Sequence, residues 1–257
     1  MKSELKILII GGCFPVQDNI SRENLYHQIL KKKIEKSSAI KVEINIVQYE
    51  KFYPTLEKIK FAIDRQHPDV IIFHIRVEQI LRMIKFYFRY HDKNENFRRG
   101  FNLALLNISI PEKESFNLSH RSVNGDLHKK SHRILIFFNY LIGYLVLNQI
   151  YSFKIYKKLV LHFTELADKE YCKIIFTGPV SRPTTFWESY TSLILNYYMK
   201  KFISNKLEKP YLEFLGTHEN QKFLFFDDYI RVNETGHNRI ANLLFETLRK
   251  MEPSIIN

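Results

Sequence analysis

Cysteine is scarce in this chain: two in 257 residues, Cys13 and Cys172, far apart and without CxxC or other metal-ligand spacing. So few thiols exclude a disulfide framework and a thiolate-held metal, and they favour a reducing, cytoplasmic compartment. Also missing is an apolar leader followed by a small-residue cleavage site, because MKSELKILII runs directly into a strand-like segment. No signal peptide is expected. The most apolar segment, Ile134–Leu147, has 14 residues and includes Asn139. That falls short of the ~20 residues needed to span a bilayer, so a core helix is expected there. No internal repeat and no Pro/Ser-rich linker divides the sequence, which predicts a single domain over 1–257.

What is abundant points to a folded core: 45% of residues are apolar and 14% aromatic, which excludes a disordered chain. Lys and Arg exceed Asp and Glu by 39 to 27, a net charge of +12. The cations are spread as Lys31–Lys33, Lys129-Lys130, Lys157-Lys158 and Lys200-Lys201, with no nucleic-acid motif beside them. No nucleic-acid partner is expected. Basic residues flanking the apolar segment (Lys129, Lys130, Arg133, Lys154) leave room for weak peripheral contact with anionic lipid.

The chain is organised around Lys6–Pro15, KILIIGGCFP. Four apolar residues, Ile7 to Ile10, suit a strand covered on both faces, as in a parallel sheet. Gly11-Gly12 permits a tight exit at the carboxyl end, where open α/β sheets place ligands, and presents Cys13 there. The order then reads helix (21–36), alternating strand (42–47), helix (54–65) and a second buried strand, VIIFHI at 70–75. An aromatic-rich helix is expected at 78–90, and residues 94–130 form the least regular stretch. With the apolar helix this makes an irregular, lid-like insertion at about 94–170. Further on come a strand at 172–177, a long helix around 186–205, a short last strand FLFF (Phe223–Phe226), and a closing helix at 233–250. Alternating buried strands and helices predict a three-layer α/β/α fold with a mainly parallel, right-handed sheet.

Three segments resemble blocks of the SGNH/GDSL hydrolase family. A strand ending in Gly-Asp-Ser corresponds to Gly11-Gly12-Cys13, and a PDVVVIHIGTND-type strand corresponds to PDVIIFHIRVEQ from Pro68 to Gln79. A DGIHPNEEGHRLIA-type block corresponds to DYIRVNETGHNRIA from Asp228 to Ala241. The resemblance implies the flavodoxin-like SGNH fold and an acyl-ester chemistry. It places Cys13 at the nucleophile, Asp228 at the orienting aspartate, Arg231 at the histidine, Glu78 at the oxyanion asparagine and Arg76 at the preceding glycine. The second block's glycine has no counterpart among Gln48, Tyr49 and Glu50.

These letters change the chemistry. A thiol, pKa near ~8.5, ionises far more easily than serine and its anion is an excellent nucleophile. A guanidinium stays protonated and cannot be a base, but it lowers the pKa of a nearby thiol or grips an anion in two-pronged fashion. An ionised carboxylate donates nothing to an oxyanion, so Glu78 serves either as proton carrier or as counter-ion to Arg76. Two alternatives follow. In one, Cys13, Glu78, Asp228 and Arg231 are catalytic, with Gly12 and Arg76 binding an anionic small-molecule acyl substrate or an acyl carrier, and no cofactor or metal. In the other, the reaction is lost, Arg76, Glu78, Asp228 and Arg231 form an ion-pair network, and the cleft binds an anionic ligand or a protein. His74 and His237 are expected to be structural, and a histidine replacing the missing base would come from elsewhere, such as His120, His128 or His132 in the insertion. Trp187 and the aromatic clusters are expected in the core or a pocket wall.

Overall fold

A computed structural model describes residues 3–11, 14–48, 56–75, 151–180, 194–214, 223–226 and 231–253, together with Leu141 and Leu145. Five parallel strands form one sheet in the order β2-β1-β3-β4-β5. They are β1 (Glu4–Gly11), β2 (Lys41–Gln48), β3 (Val70–His74), β4 (Lys173–Thr177) and the two-residue β5 (Tyr211–Leu212). β1 lies between β2 and β3, with Ile7 opposite both Ile44 and Val70. Both its faces are covered, which is why Ile7 to Ile10 are each no more than 1% exposed. Among the described residues β2 has one neighbouring strand, and it keeps a partly polar pattern, with Val42 and Val47 buried and Lys41 and Glu43 exposed. Asp69 sets the start of β3: its carboxylate accepts from the Lys6 N–H at 2.8 Å and its own N–H donates to the Lys6 carbonyl.

Two helices pack on one face, α1 (Tyr26–Ser37) and, at the end of the chain, α4 (Glu234–Met251). Leu30, Ile34, Ile240, Leu244 and Leu248 meet the odd-numbered β1 residues Leu5, Ile7 and Ile9 in that layer. The opposite face carries α2 (Leu56–Gln66), α3 (Tyr151–Lys169) and the helical residues 194–200, which end in a π-helical turn, Lys201–Lys206. Ile59, Ile63, Tyr156, Val160, Phe163, Leu195 and Met199 cover Leu8 and Ile10 there. Each fully buried side chain of this kind stabilises the fold by roughly 1.5–3 kcal/mol. Cys172 belongs to this second layer, 5% exposed, with its Sγ donating to the Pro68 carbonyl at 2.8 Å.

The three-layer parallel architecture is as expected, but three elements differ from the sequence reading. Phe223–Phe226 is not a strand of the sheet: Phe225 makes one isolated antiparallel bridge with Val232, and the fifth strand is Tyr211–Leu212. The reason is visible at the α4 cap. Asn233 accepts from the Gly236 N–H at 3.0 Å while its amide donates to the Phe223 and Phe225 carbonyls at 2.8 and 2.9 Å. Those carbonyls are thereby committed to the helix cap rather than to a ladder. A Cβ on Gly236 would lie 2.5 Å from the Leu224 carbonyl oxygen, so only glycine lets α4 approach this segment. Second, residues 151–169, included in the irregular insertion, form the 19-residue crossover helix α3. Third, the first helix expected from residue 21 starts later: Arg22–Asn24 form a 3₁₀ turn and α1 begins at Tyr26, with Leu25 at the N-cap position. The expected helix at 78–90, the stretch 94–130 and, apart from Leu141 and Leu145, the apolar segment at 134–147 lie outside the described residues.

Candidate functional site

The connection from β1 leads to one edge of the sheet and that from β3 to the other, so the strand order reverses between them. In a doubly wound sheet of order 2-1-3-4-5 this switch point opens a crevice at the carboxyl ends of the strands. β1 ends there at Gly11, β3 at His74 and β4 at Thr177. Of the expected site residues, Gly12, Cys13, Arg76, Glu78 and Asp228 lie outside the described residues, as do His120, His128, His132 and Trp187. Arg231 is described and its side chain is exposed.

The residues flanking Cys13 and Arg231 are joined directly. After Gly11, the chain makes a short 3₁₀ turn, Phe14–Val16, and the Gln17 amide donates to the Val232 carbonyl at 2.8 Å. Val232 follows Arg231, whose own carbonyl accepts from the Phe226 N–H at 2.9 Å. Seven residues further on, the Asn24 amide donates to Glu234 Oε1 at 2.7 Å. The Tyr26 N–H, an orphan donor of the first turn of α1, is accepted by His237 Nδ1 at 3.1 Å. The opening loop and the closing block therefore lie on the same flank of the sheet, tied at three levels.

Beneath this contact sits a buried polar cluster. Tyr26 Oη meets His74 Nε2 at 2.6 Å, and His74 Nδ1 meets Thr177 Oγ1 at 2.6 Å. A phenol donating to Nε2 leaves the imidazole proton on Nδ1, which then donates to Thr177. Burial keeps the Tyr26 phenol protonated, raising its pKa well above the ordinary value. The Tyr26 and His237 rings lie nearly parallel, centroids 6.0 Å apart. Burial, then the neighbouring His27, lowers His74 to about 3 and His237 to about 4. Burial and then Arg22 lower His27 to about 4, and its Nδ1 has no hydrogen-bond partner among the described residues.

All three histidines are thus neutral at physiological pH, and His74 has both ring nitrogens engaged. That agrees with the expectation of core roles for His74 and His237. His74 also limits the turn that leaves β1, since a Cβ on Gly11 would lie 2.8 Å from its Cδ2. The ring forms the floor directly behind the residue before Gly12-Cys13. Gln17 and Tyr26 were not singled out from the sequence, because their partners lie up to 215 residues away; nor was His27, whose burial only the packed structure shows. Among the described residues no group of three His, Cys, Asp or Glu side chains is placed to hold a metal ion.

No protein-family model matches the chain, and no curated protein matches it. Solved structures do. An acetylxylan esterase, Axe2 from Geobacillus stearothermophilus, solved as a catalytic mutant, aligns over 96% of this chain and 94% of its own at 11% identity, TM-score 0.54. A member of the lipolytic protein G-D-S-L family from Veillonella parvula aligns over 96% and 99% at 11% identity, TM-score 0.51. The psychrotrophic esterase EstA from a Pseudoalteromonas species, inhibited by monoethylphosphonate, aligns over 96% and 97% at 11% identity, TM-score 0.50. Near-complete coverage of both chains identifies the architecture as the SGNH/GDSL-hydrolase-like fold.

Proposed function

We propose that this chain is an acyl hydrolase or acyltransferase that uses Cys13 as nucleophile on an ester or thioester whose acyl donor is anionic or carrier-bound. The observation that supports this most directly is the Gln17–Val232 hydrogen bond. It ties the loop after Cys13 to the residue after Arg231 at the carboxyl edge, where the fold's ligand crevice opens. A guanidinium close to the thiol favours the thiolate. The thiolate attacks the acyl carbon, forming a C–S bond as the C–O or C–S bond to the leaving group breaks. The departing alcohol or thiol takes up the proton that Cys13 released, carried by Glu78. Water, or an acceptor hydroxyl, then displaces the sulfur and returns the proton. Arg76 and Arg231 hold the anionic portion of the donor.

The test is to incubate the protein with an aryl ester and an acyl thioester, then measure the mass of the Cys13 peptide. An acyl adduct on Cys13, lost in Cys13→Ala, is expected. Turnover unchanged in Cys13→Ala would refute the assignment. The second reading, a cleft that binds an anionic ligand without reacting, is favoured by Arg231 and Glu78 standing where the family's base and oxyanion donor are expected. Its signature is saturable binding of the donor with no adduct and no turnover.

A further inference from the structure

Lysines of two separate segments are brought together by the fold. On α3, Lys154 and Lys158 are exposed one turn apart, and Lys157 lies beside them over the Phe153 ring, 5.2 Å from its centroid. From the π-helical turn, Lys206 joins Lys157 over the ring of Phe202, each 5.9 Å from its centroid. Lysine ammonium groups this close repel one another. Partial burial, then Lys206 and Lys154, lowers the pKa of Lys157. An arriving anion relieves that repulsion, which makes the cluster complementary to negative charge.

The composition of the cluster narrows the partner. All four of these cations are lysines, flexible point charges suited to a diffuse negative field rather than the planar fork with which an arginine reads a carboxylate or phosphate two-pronged. Aromatic side chains accompany them. Tyr197, 46% exposed, stands edge-on to Tyr198, which in turn packs edge-on against the Phe153 ring beneath Lys157. Flexible lysines beside exposed and half-exposed tyrosine suit the boundary of an anionic bilayer. Among the described residues no helix is long and apolar enough to cross a membrane, so the contact in question is with the surface. A crossover helix runs antiparallel to its strands, so α3 begins at the sheet's carboxyl edge. Lys154, in its first turn, therefore sits at the edge where the candidate site opens.

We propose that this face of α3 and the π-helical turn docks the protein on anionic lipid. It does not depend on the chemistry proposed for Cys13. The test is flotation of the full chain with vesicles of phosphatidylcholine alone or with phosphatidylserine added. The expected result is binding only where phosphatidylserine is present, weakening as salt rises. Substituting Lys154→Gln, Lys158→Gln and Lys206→Gln together should weaken the partition about a hundredfold, given the usual contribution of a lysine near an anionic surface. A triple variant on the opposite face with the same loss of charge, Lys32→Gln, Lys36→Gln and Lys250→Gln, should retain binding. The proposal is overturned if the wild-type chain does not float, if the two triple variants weaken binding equally, or if an acidic carrier protein is bound while vesicles are not.

Discussion

Acidification should unfold this protein through the histidines beneath the candidate site. Burial holds His74 at about 3 and His27 and His237 at about 4, against 6.5 for an unperturbed imidazole. The folded values are the lower ones, so the unfolded chain takes up protons first. Stability is therefore complete above pH 6.5, falls as the pH drops through that value, and levels off only below the folded values. At about pH 5 each buried histidine costs roughly 2 kcal/mol, or ~6 kcal/mol for the three, against a typical total of ~5–15 kcal/mol. Urea unfolding followed by far-ultraviolet circular dichroism across about pH 7 to 5 measures the loss. His74→Gln isolates one contribution, because an amide offers a donor and an acceptor to Tyr26 and Thr177 but does not titrate. Between pH 6 and 5 that variant should reduce the slope of stability against pH by about 1.4 kcal/mol per unit. A flat stability profile from pH 7 to 5, or an unchanged slope in His74→Gln, would refute the assignment of these rings as buried and neutral.

Three further outcomes follow from the geometry. Asn233→Ala removes the α4 cap and the donor serving two Phe carbonyls, and should cost about 2 kcal/mol in chemical denaturation. Gly236→Ala places a methyl group against the Leu224 carbonyl; it should destabilise by more than the ordinary Gly-to-Ala change in a helix would stabilise, lowering the thermal midpoint. Gln17→Ala breaks the tie between the opening loop and the closing block. It should slow acylation or alkylation of Cys13 while leaving the unfolding midpoint within about 1 kcal/mol of wild type.

Much of the fold could be read from the sequence where a single period dominates. Ile7 to Ile10 and Val70 to Phe73 are continuous apolar runs, and they are the strands buried on both faces. Ile240, Leu244 and Leu248 recur at helical spacing and form the buried side of α4. FLFF misled because four apolar residues carry no period; the Phe223 and Phe225 carbonyls are claimed by Asn233, and only Leu224 and Phe225 send their side chains into the α1–α4 layer, while Phe223 is exposed. α3 was hidden by its lysines, although Phe153, Tyr156, Val160, Phe163 and Ala167 carry a helical repeat. The candidate edge was legible through Gly11 and the block around Gly236-His237. The floor of that edge was not, since Tyr26, His74, Thr177 and His237 come together only when four elements pack. Likewise, lysines scattered along the sequence become one surface only through the placement of α3 beside the π-helical turn.

The central claim is that the thiol following β1 is activated by the cation delivered just before α4, and alkylation kinetics test it most directly. Iodoacetamide labelling, resolved by peptide mass, compares Cys13 with Cys172, whose sulfur is buried and bonded to Pro68. Rapid labelling of Cys13 near neutral pH, with a titration below the ~8.5 of a free thiol and a slower rate in Arg231→Ala, is the predicted result. Labelling of Cys13 no faster than Cys172, or a rate indifferent to Arg231→Ala, would contradict it.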